Sequence, residues 1–541
     1  MQSSTPARTS RLAKSLAGAA LLLATALGAD AQPTPDGPPL VIGEVGLTTL
    51  GEPRIASGPD GATVAVWIGE CPQLAVCART WSGAGAPVAG PFALSLPVAE
   101  LDAVPAVAAL AGGDFFVVWS RPGGGFAREI ALARFAAGGG GVGLERLVAA
   151  ASAQIFAAPD VAVDAAGAPV VVWERRRFEG EIGGQPVTVG VEIQGRRLAA
   201  SGAPLGDPFR IDESDDDLVT APALAVAPDG SFLVAWEAFA FDAAEDDVLI
   251  RRFTPGGDGA ALPAGGELVI HPSVSGRQLR PAVAASSDGR FLVAWEGPTA
   301  SGRRVVGQIV TAAGPLSSIP FGLGVPPGDK LRPAVAGGDG AFVVAWEDAS
   351  FGGSLFAQRR DVAGLPLDSG FRVDAGGGLP LLPALAALPG EGTAGGLFAA
   401  WSEQLPDFSR RLLGRRYAGS LPPPAPCVEG PTVHCLGPEG RYRVTATWVT
   451  GDGGTGEGRL VPLTADTGAF WFFDDANIEL VVKVLTACPV NGHVWVFAAG
   501  LTDVAVTLTV VDTVTGVPRT YGNPLGTAFQ PIQDTAAFSC D

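Results

Sequence analysis

Apolar residues recur in short runs that are apolar on both faces, punctuated by Asp-Gly turns. The clearest is Asp288-Gly289-Arg290-Phe291-Leu292-Val293-Ala294-Trp295-Glu296. Read as an extended strand, Phe291, Val293 and Trp295 fall on one face and Leu292 and Ala294 on the other. Both faces are apolar, so the run predicts a strand covered on both sides. The unit recurs with its Trp at Trp67, Trp119, Trp173, Trp236, Trp295, Trp346 and Trp401, at spacings of 52, 54, 63, 59, 51 and 55 residues. A second anchor precedes each, at Pro53, Pro105, Pro159, Pro222, Pro281, Pro333 and Pro383. The Pro-to-Trp distance is 14 in five copies, 13 in the sixth and 18 in the seventh. Two anchors holding register this way predict an internal repeat of four-stranded units.

In the fifth copy the predicted strands are Pro281 to Ala284, Phe291 to Trp295, Val305 to Ile309, and one near Ile319-Pro320-Phe321. The first contains small residues, as the crowded axis of a propeller requires. Asp60-Gly61, Asp229-Gly230, Asp288-Gly289 and Asp339-Gly340 supply tight hairpins. An outer strand precedes every Pro anchor, and none follows Tyr417. The count closes if residues 40–46 complete the last unit and remove an exposed edge. The expected fold is therefore all-β: a seven-bladed β-propeller over 32–419, a Pro-rich linker at 420–426 and a β-sandwich-like domain over 427–541.

At the start, Arg8, Arg11 and Lys14 precede the apolar run Leu16 to Leu27 and the small-x-small triplet Ala29-Asp30-Ala31. Residues 1–31 read as a signal peptide cleaved near Ala31, and the expected location is extracellular or periplasmic. Six cysteines in an exported chain read as disulfides: proximity suggests Cys71 with Cys77 and Cys427 with Cys435, leaving Cys488 to Cys540. The formal charge of −19 argues against nucleic acid or an anionic membrane as partner. No later apolar run is long enough to span a membrane, and a monomer is expected.

The run Asp466-Thr467-Gly468-Ala469-Phe470-Trp471-Phe472-Phe473, then Asn477 through Leu485, Cys488, Asn491 through Phe497, Gly500 through Val504, Asp512 through Gly516, and Asn523-Pro524, resembles a C-terminal domain of secreted bacterial proteins. The resemblance implies a secreted bacterial protein and no particular activity. The Trp units resemble, more loosely, the DG-x-F-V-V-x-W repeats of exported bacterial propeller-type proteins.

Candidate chemistry is diffuse. Glu174, Glu237, Glu296 and Glu347 each follow a Trp directly. Paired carboxylates could hydrolyse glycosides. An active site occupies one place, however, and a residue repeated in four copies reads as structural. The histidines His271, His434 and His493 lie far apart, which supports neither a metal cluster nor a Ser-His-Asp site. No cofactor is implied. If calcium binds, the acidic loops offer Asp212, Asp215, Asp217, Asp242 and Asp246, without a calcium-loop spacing. The long segments after Trp173 and Trp236 place the likeliest contact surface on the third and fourth copies. The expectation is a non-catalytic secreted protein that binds a glycan, cell-surface or protein ligand through a propeller face. The alternative is a polysaccharide-acting hydrolase or lyase of propeller fold.

Overall fold

The computed structural model describes residues 34–539 except 47–51, 95–104, 125–126, 151–153, 183–184, 214–217, 240–245, 257–259, 272–275, 300–301, 318–319, 324–328, 339, 350–352, 368–369, 375–377, 390–395, 419–426, 452–453 and 514–517. The signal peptide, the Pro-rich linker, Asp215, Asp217, Asp242, Asp339 and Cys540 lie outside the described residues. Strands make up most of the fold; the described α-helix is one turn at Cys488–Asn491.

The Trp-bearing segments form strands flanked on both edges. In the fifth repeat Leu279–Ala285 pairs with Phe291–Thr299, which pairs with Gly302–Thr311, which pairs in turn with Phe321–Leu323, all antiparallel. The other repeats follow the same order. Inner strands of consecutive repeats touch in sequence: Arg54–Ser57, Ala106–Ala109, Ile155–Val163, Leu218–Val226, Leu279–Ala285, Lys330–Gly337 and Leu379–Leu388, with the last touching the first. The N-terminal strand Leu40–Gly46 runs antiparallel to Arg410–Ala418 of the seventh repeat, and Glu44 pairs with Glu70 of the first. Gly43 lies against the Trp67 ring, where a Cβ would stand 2.2 Å from the ring carbon Cζ2. That position therefore requires glycine.

The turns behave as their residues dictate. Gly61, Gly230 and Gly289 have φ of 78°, 79° and 83°. The preceding Asp accepts the backbone N–H two residues on, as Asp229 does from Ser231 at 2.9 Å.

Core residues gather between repeats. Trp295 packs with Leu233, Ala235, Val248 and Ile250 of the preceding repeat. Trp67 packs with Phe398 and Leu412 of the seventh repeat and with Ile42 of the N-terminal strand. All seven repeat tryptophans are buried, and none of their indole N–H groups has a hydrogen-bond partner among the described residues. Burying about 150–250 Å² of ring at about 25 cal/mol per Å² gives roughly 4–6 kcal/mol. An orphan donor costs about 1–3 kcal/mol. Packing wins, so each Trp serves as an apolar wedge.

Beyond the repeats, two five-stranded sheets share one core. Val444, Leu508 and Val510 of one sheet meet Phe470, Val482, Val496 and Phe538 of the other. Arg443 of this region reaches back to Asp361 of the sixth repeat at 2.9 Å.

The wedge account separates two substitutions. Trp295→Ala removes ring and packing and is expected to cost about 3–5 kcal/mol in denaturant unfolding. Trp295→Phe keeps most of the area and deletes the orphan donor, so its cost should stay below about 1.5 kcal/mol. Equal costs for the two would contradict the wedge role.

Candidate functional site

One end of the repeats collects the glutamates that follow the tryptophans. The inner strands begin there and the Trp strands finish there, because Thr220 pairs with Glu237, Leu279 with Glu296 and Leu331 with Glu347. Hairpins from Trp strand to third strand emerge at the same end. The longest, in the third repeat, pairs out to Ile182 and Gln185.

Each inner strand from the third repeat to the seventh carries a left-handed residue just before its Pro anchor. These are Ala158, Ala221, Arg280, Arg332 and Leu382, with φ of 45°, 53°, 55°, 50° and 55°. Such backbone costs a non-glycine residue about 1–3 kcal/mol. For the last four of these, the Glu that follows the Trp of the preceding repeat offsets that cost. Glu174 accepts the Ala221 N–H at 3.0 Å, Glu237 that of Arg280 at 2.6 Å, Glu296 that of Arg332 at 2.8 Å and Glu347 that of Leu382 at 2.6 Å. These glutamates clasp consecutive repeats together.

Arginine secures most of the clasps. Glu296 meets Arg303 at 2.9 Å and Arg280 at 3.0 Å, Glu347 meets Arg332 at 2.7 Å, and Glu174 meets Arg176 at 3.5 Å. The fourth repeat departs from this. In the fifth, Arg303 opens the third strand opposite Pro298, two residues past Glu296. The corresponding position opposite Phe239, two residues past Glu237, is Asp246. A carboxylate thus stands where the next repeat has a guanidinium. Glu237 is buried and its second oxygen takes no hydrogen bond among the described residues. Burial pushes its carboxyl above the ordinary glutamic acid value; Asp246 and Glu296 push the same way, against the Arg280 N–H and charge. Asp246 is itself paired with Arg277, whose guanidinium lies 5.8 Å from the Phe239 ring. Two carboxyls of unequal environment, one favouring its proton and one held by arginine, sit beside an aromatic ring. Such a pair can donate a proton and stabilise positive charge.

A second departure lies on the inner strands. The residue after the Pro anchor is Ala106, Ala223, Ala282, Ala334 or Ala384 in five repeats, but Arg54 in the first and Asp160 in the third. Asp160 accepts the Leu224 N–H and its own neighbour's, Val161, each at 2.9 Å. It is partly accessible to water, yet protein surrounds it, and burial raises its carboxyl against the pull of Arg54.

Asp212 is one of the acidic residues named as offering oxygens if calcium binds. Its carboxylate accepts the Ile193 N–H at 2.6 Å and pairs with Arg210 at 2.7 Å, and it is 2% exposed. Asp374 repeats that pattern with Leu355 and Arg372. Asp212 thus ties the third and fourth strands of its own repeat together. Asp246 belongs to the carboxyl pair. Among the described residues no group of three potential metal ligands occurs. Cys71–Cys77 and Cys427–Cys435 are disulfides, as an oxidising compartment permits. Cys488 opens the single helical turn, and its expected partner Cys540 is outside the described residues. No described helix is long and apolar enough to cross a membrane.

No known protein family and no curated protein matches the chain. Solved structures do. An α-L-arabinofuranosidase of Fusarium graminearum, in complex with arabinobiose, matches at 10% identity over 70% of this chain and 98% of its own, with a TM-score of 0.38. An endo-arabinase from Bacteroides thetaiotaomicron matches at 14% identity, covering 53% of this chain and 99% of its own, with a TM-score of 0.31. A puromycin hydrolase matches at 16% identity, covering 77% of this chain and 59% of its own, with a TM-score of 0.42.

The expectation of a non-catalytic binding protein is corrected here. The named structural neighbours are hydrolases. The glutamate end of the repeats also carries the asymmetric carboxyl pair that the repeat reading denied.

The raised Glu237 carboxyl fixes a sign. Its contribution to stability is fully present below the ordinary glutamic acid value of 4.5 and is lost as pH rises through its higher folded value. Glu237→Gln keeps an acceptor for the Arg280 N–H and carries no charge. Its melting midpoint should match the parent near about pH 4 and exceed it near about pH 7. A midpoint below the parent's at the higher pH would contradict the assignment.

Proposed function

We propose that the chain is a secreted hydrolase acting on glycosidic bonds of a polysaccharide, on a seven-bladed propeller closed by its N-terminal strand and followed by a β-sandwich. The cyclic contact of the inner strands and the pairing of Leu40–Gly46 with Arg410–Ala418 support the architecture. The two disulfides and the resemblance of the C-terminal segment support export.

The observation that carries the activity is the Glu237–Asp246 pair. Glycoside hydrolysis needs one carboxyl that holds a proton for the leaving oxygen and one ionised carboxylate facing the developing positive charge at the sugar carbon. Glu237 suits the first role, because burial and like charge keep its proton and its second oxygen is free. Asp246 suits the second, because it is paired with Arg277 at the start of the third strand. Glu296 is tied to Arg280 and Arg303 and serves as the negative neighbour that holds the Glu237 proton on. Phe239 supplies an apolar face for a sugar ring. The glycosidic C–O bond breaks as the leaving oxygen takes the Glu237 proton; water then adds its hydroxyl to the sugar carbon and returns its other proton to Glu237.

Reducing-end release from arabinan, xylan, β-glucan and pectin tests the reading. At least one should be cleaved, and Glu237→Gln and Asp246→Asn should each lower the rate by about 10²-fold or more. Release from none of them, or full turnover by Glu237→Gln, would reject it.

A further inference from the structure

The C-terminal region holds a cleft of about 600 Å³ that the catalytic reading does not use. It opens between the segment Phe473–Glu479 and the segments Gly500–Val504 and Ala528–Phe529. Its rim is apolar and unusually bare: Phe473 is 50% exposed and Leu501 88% exposed. Phe473 is held in place by Trp448, with ring centroids 4.7 Å apart, and Trp448 also stacks on Phe472. The floor is fixed by Gly500, where a Cβ would stand 2.6 Å from the Phe529 ring. That close approach leaves the cleft open beside the ring.

The polar lining is one-sided. Glu479 is 6% exposed; one of its oxygens accepts the Asn477 amide, and the other takes no hydrogen bond among the described residues. The Asp503 side chain likewise has no protein partner there, while its backbone carbonyl accepts the Gly526 N–H at 2.7 Å. No Lys, Arg or His lines the cleft. A nearly buried carboxylate with a free oxygen costs stability unless something donates to it.

We propose that this cleft is a second carbohydrate-binding site, for a neutral sugar unit of a polysaccharide. The ligand must bring hydroxyl donors to Glu479 and Asp503 and an apolar ring face to Phe473, and a pyranose or furanose does both. The volume suits one or two sugar units. Two carboxylates without a cation exclude uronic and sulfated sugars. An ammonium group alone would leave the broad Phe473–Leu501–Phe529 surface uncovered. The site stands apart from the Glu237–Asp246 pair and does not rest on it.

Affinity electrophoresis of the full chain in gels containing galactomannan, xylan, β-glucan or polygalacturonate tests the assignment. Migration should be retarded by at least one neutral polymer and not by polygalacturonate. Phe473→Ala and Asp503→Ala should each weaken retardation by about ten-fold with unchanged melting midpoints. Glu237→Gln should be retarded like the parent. The proposal is overturned by no retardation in any neutral polymer, by retardation in polygalacturonate alone, or by retardation that survives Phe473→Ala and Asp503→Ala. It is also overturned if Glu237→Gln abolishes the retardation, since the ligand would then sit at the repeat ring.

Discussion

Four consecutive joints of the repeats depend on one bond: a glutamate carboxylate accepting the N–H of a left-handed residue in the next repeat. In the third to seventh repeats the residue before the Pro anchor turns sharply as the inner strand begins, and it does so without glycine. That turn costs about 1–3 kcal/mol, and a charge-assisted hydrogen bond contributes about 1.5–3 kcal/mol. The two are close enough that the clasp sets the geometry without adding much net stability. The net gain comes from the Trp wedges packed between repeats. Clasp and wedge leave the same strand end one residue apart, as Trp236-Glu237 and Trp295-Glu296 do, so one dipeptide both fills the joint and locks its angle.

A buried carboxylate of this kind needs a cation, and the protein supplies arginine. Of the chain's 36 basic residues only three are lysine. The planar guanidinium fork can hold a carboxylate oxygen while leaving the other for the backbone N–H, which suits a clasp better than a point-charge ammonium does. The functional reading follows from the one joint where this supply fails. In the fourth repeat the position of Arg303 is taken by Asp246, and Glu237 keeps its backbone bond but has no arginine ion pair among the described residues. In the proposed function the activity arises there by omission of a structural partner.

Much of the scaffold is legible in the sequence. The Pro and Trp anchors mark the inner and second strands, the Asp-Gly pairs mark turns that do take positive φ, and the missing strand after Tyr417 points to residues 40–46. The symmetry that makes these legible hides the site. Glu237 looks like its three copies, and only its surroundings distinguish it. Arg303 lies seven residues after Glu296 while Asp246 lies nine after Glu237, so loop length conceals their equivalence until strand register reveals it. Composition also groups Asp212 with Asp246 as acidic-loop residues. Spatially they part: Arg210-Ile211-Asp212 is a clasp shared with Arg372-Val373-Asp374, a pattern visible in the sequence once its role is known. The left-handed residues before proline carry no signal, because a residue before proline normally reads as extended.

Burial raises the Glu237 carboxyl, and Asp246, standing where the next repeat has an arginine, adds like charge that pushes the same way. Carboxyl ¹³C NMR titration, with Glu237 assigned by the loss of its signal in Glu237→Gln, measures this directly. The account predicts that Glu237 titrates above the ordinary glutamic acid value and moves back toward it in Asp246→Asn. Titration at or below that value, or a value that Asp246→Asn leaves unchanged, would contradict it.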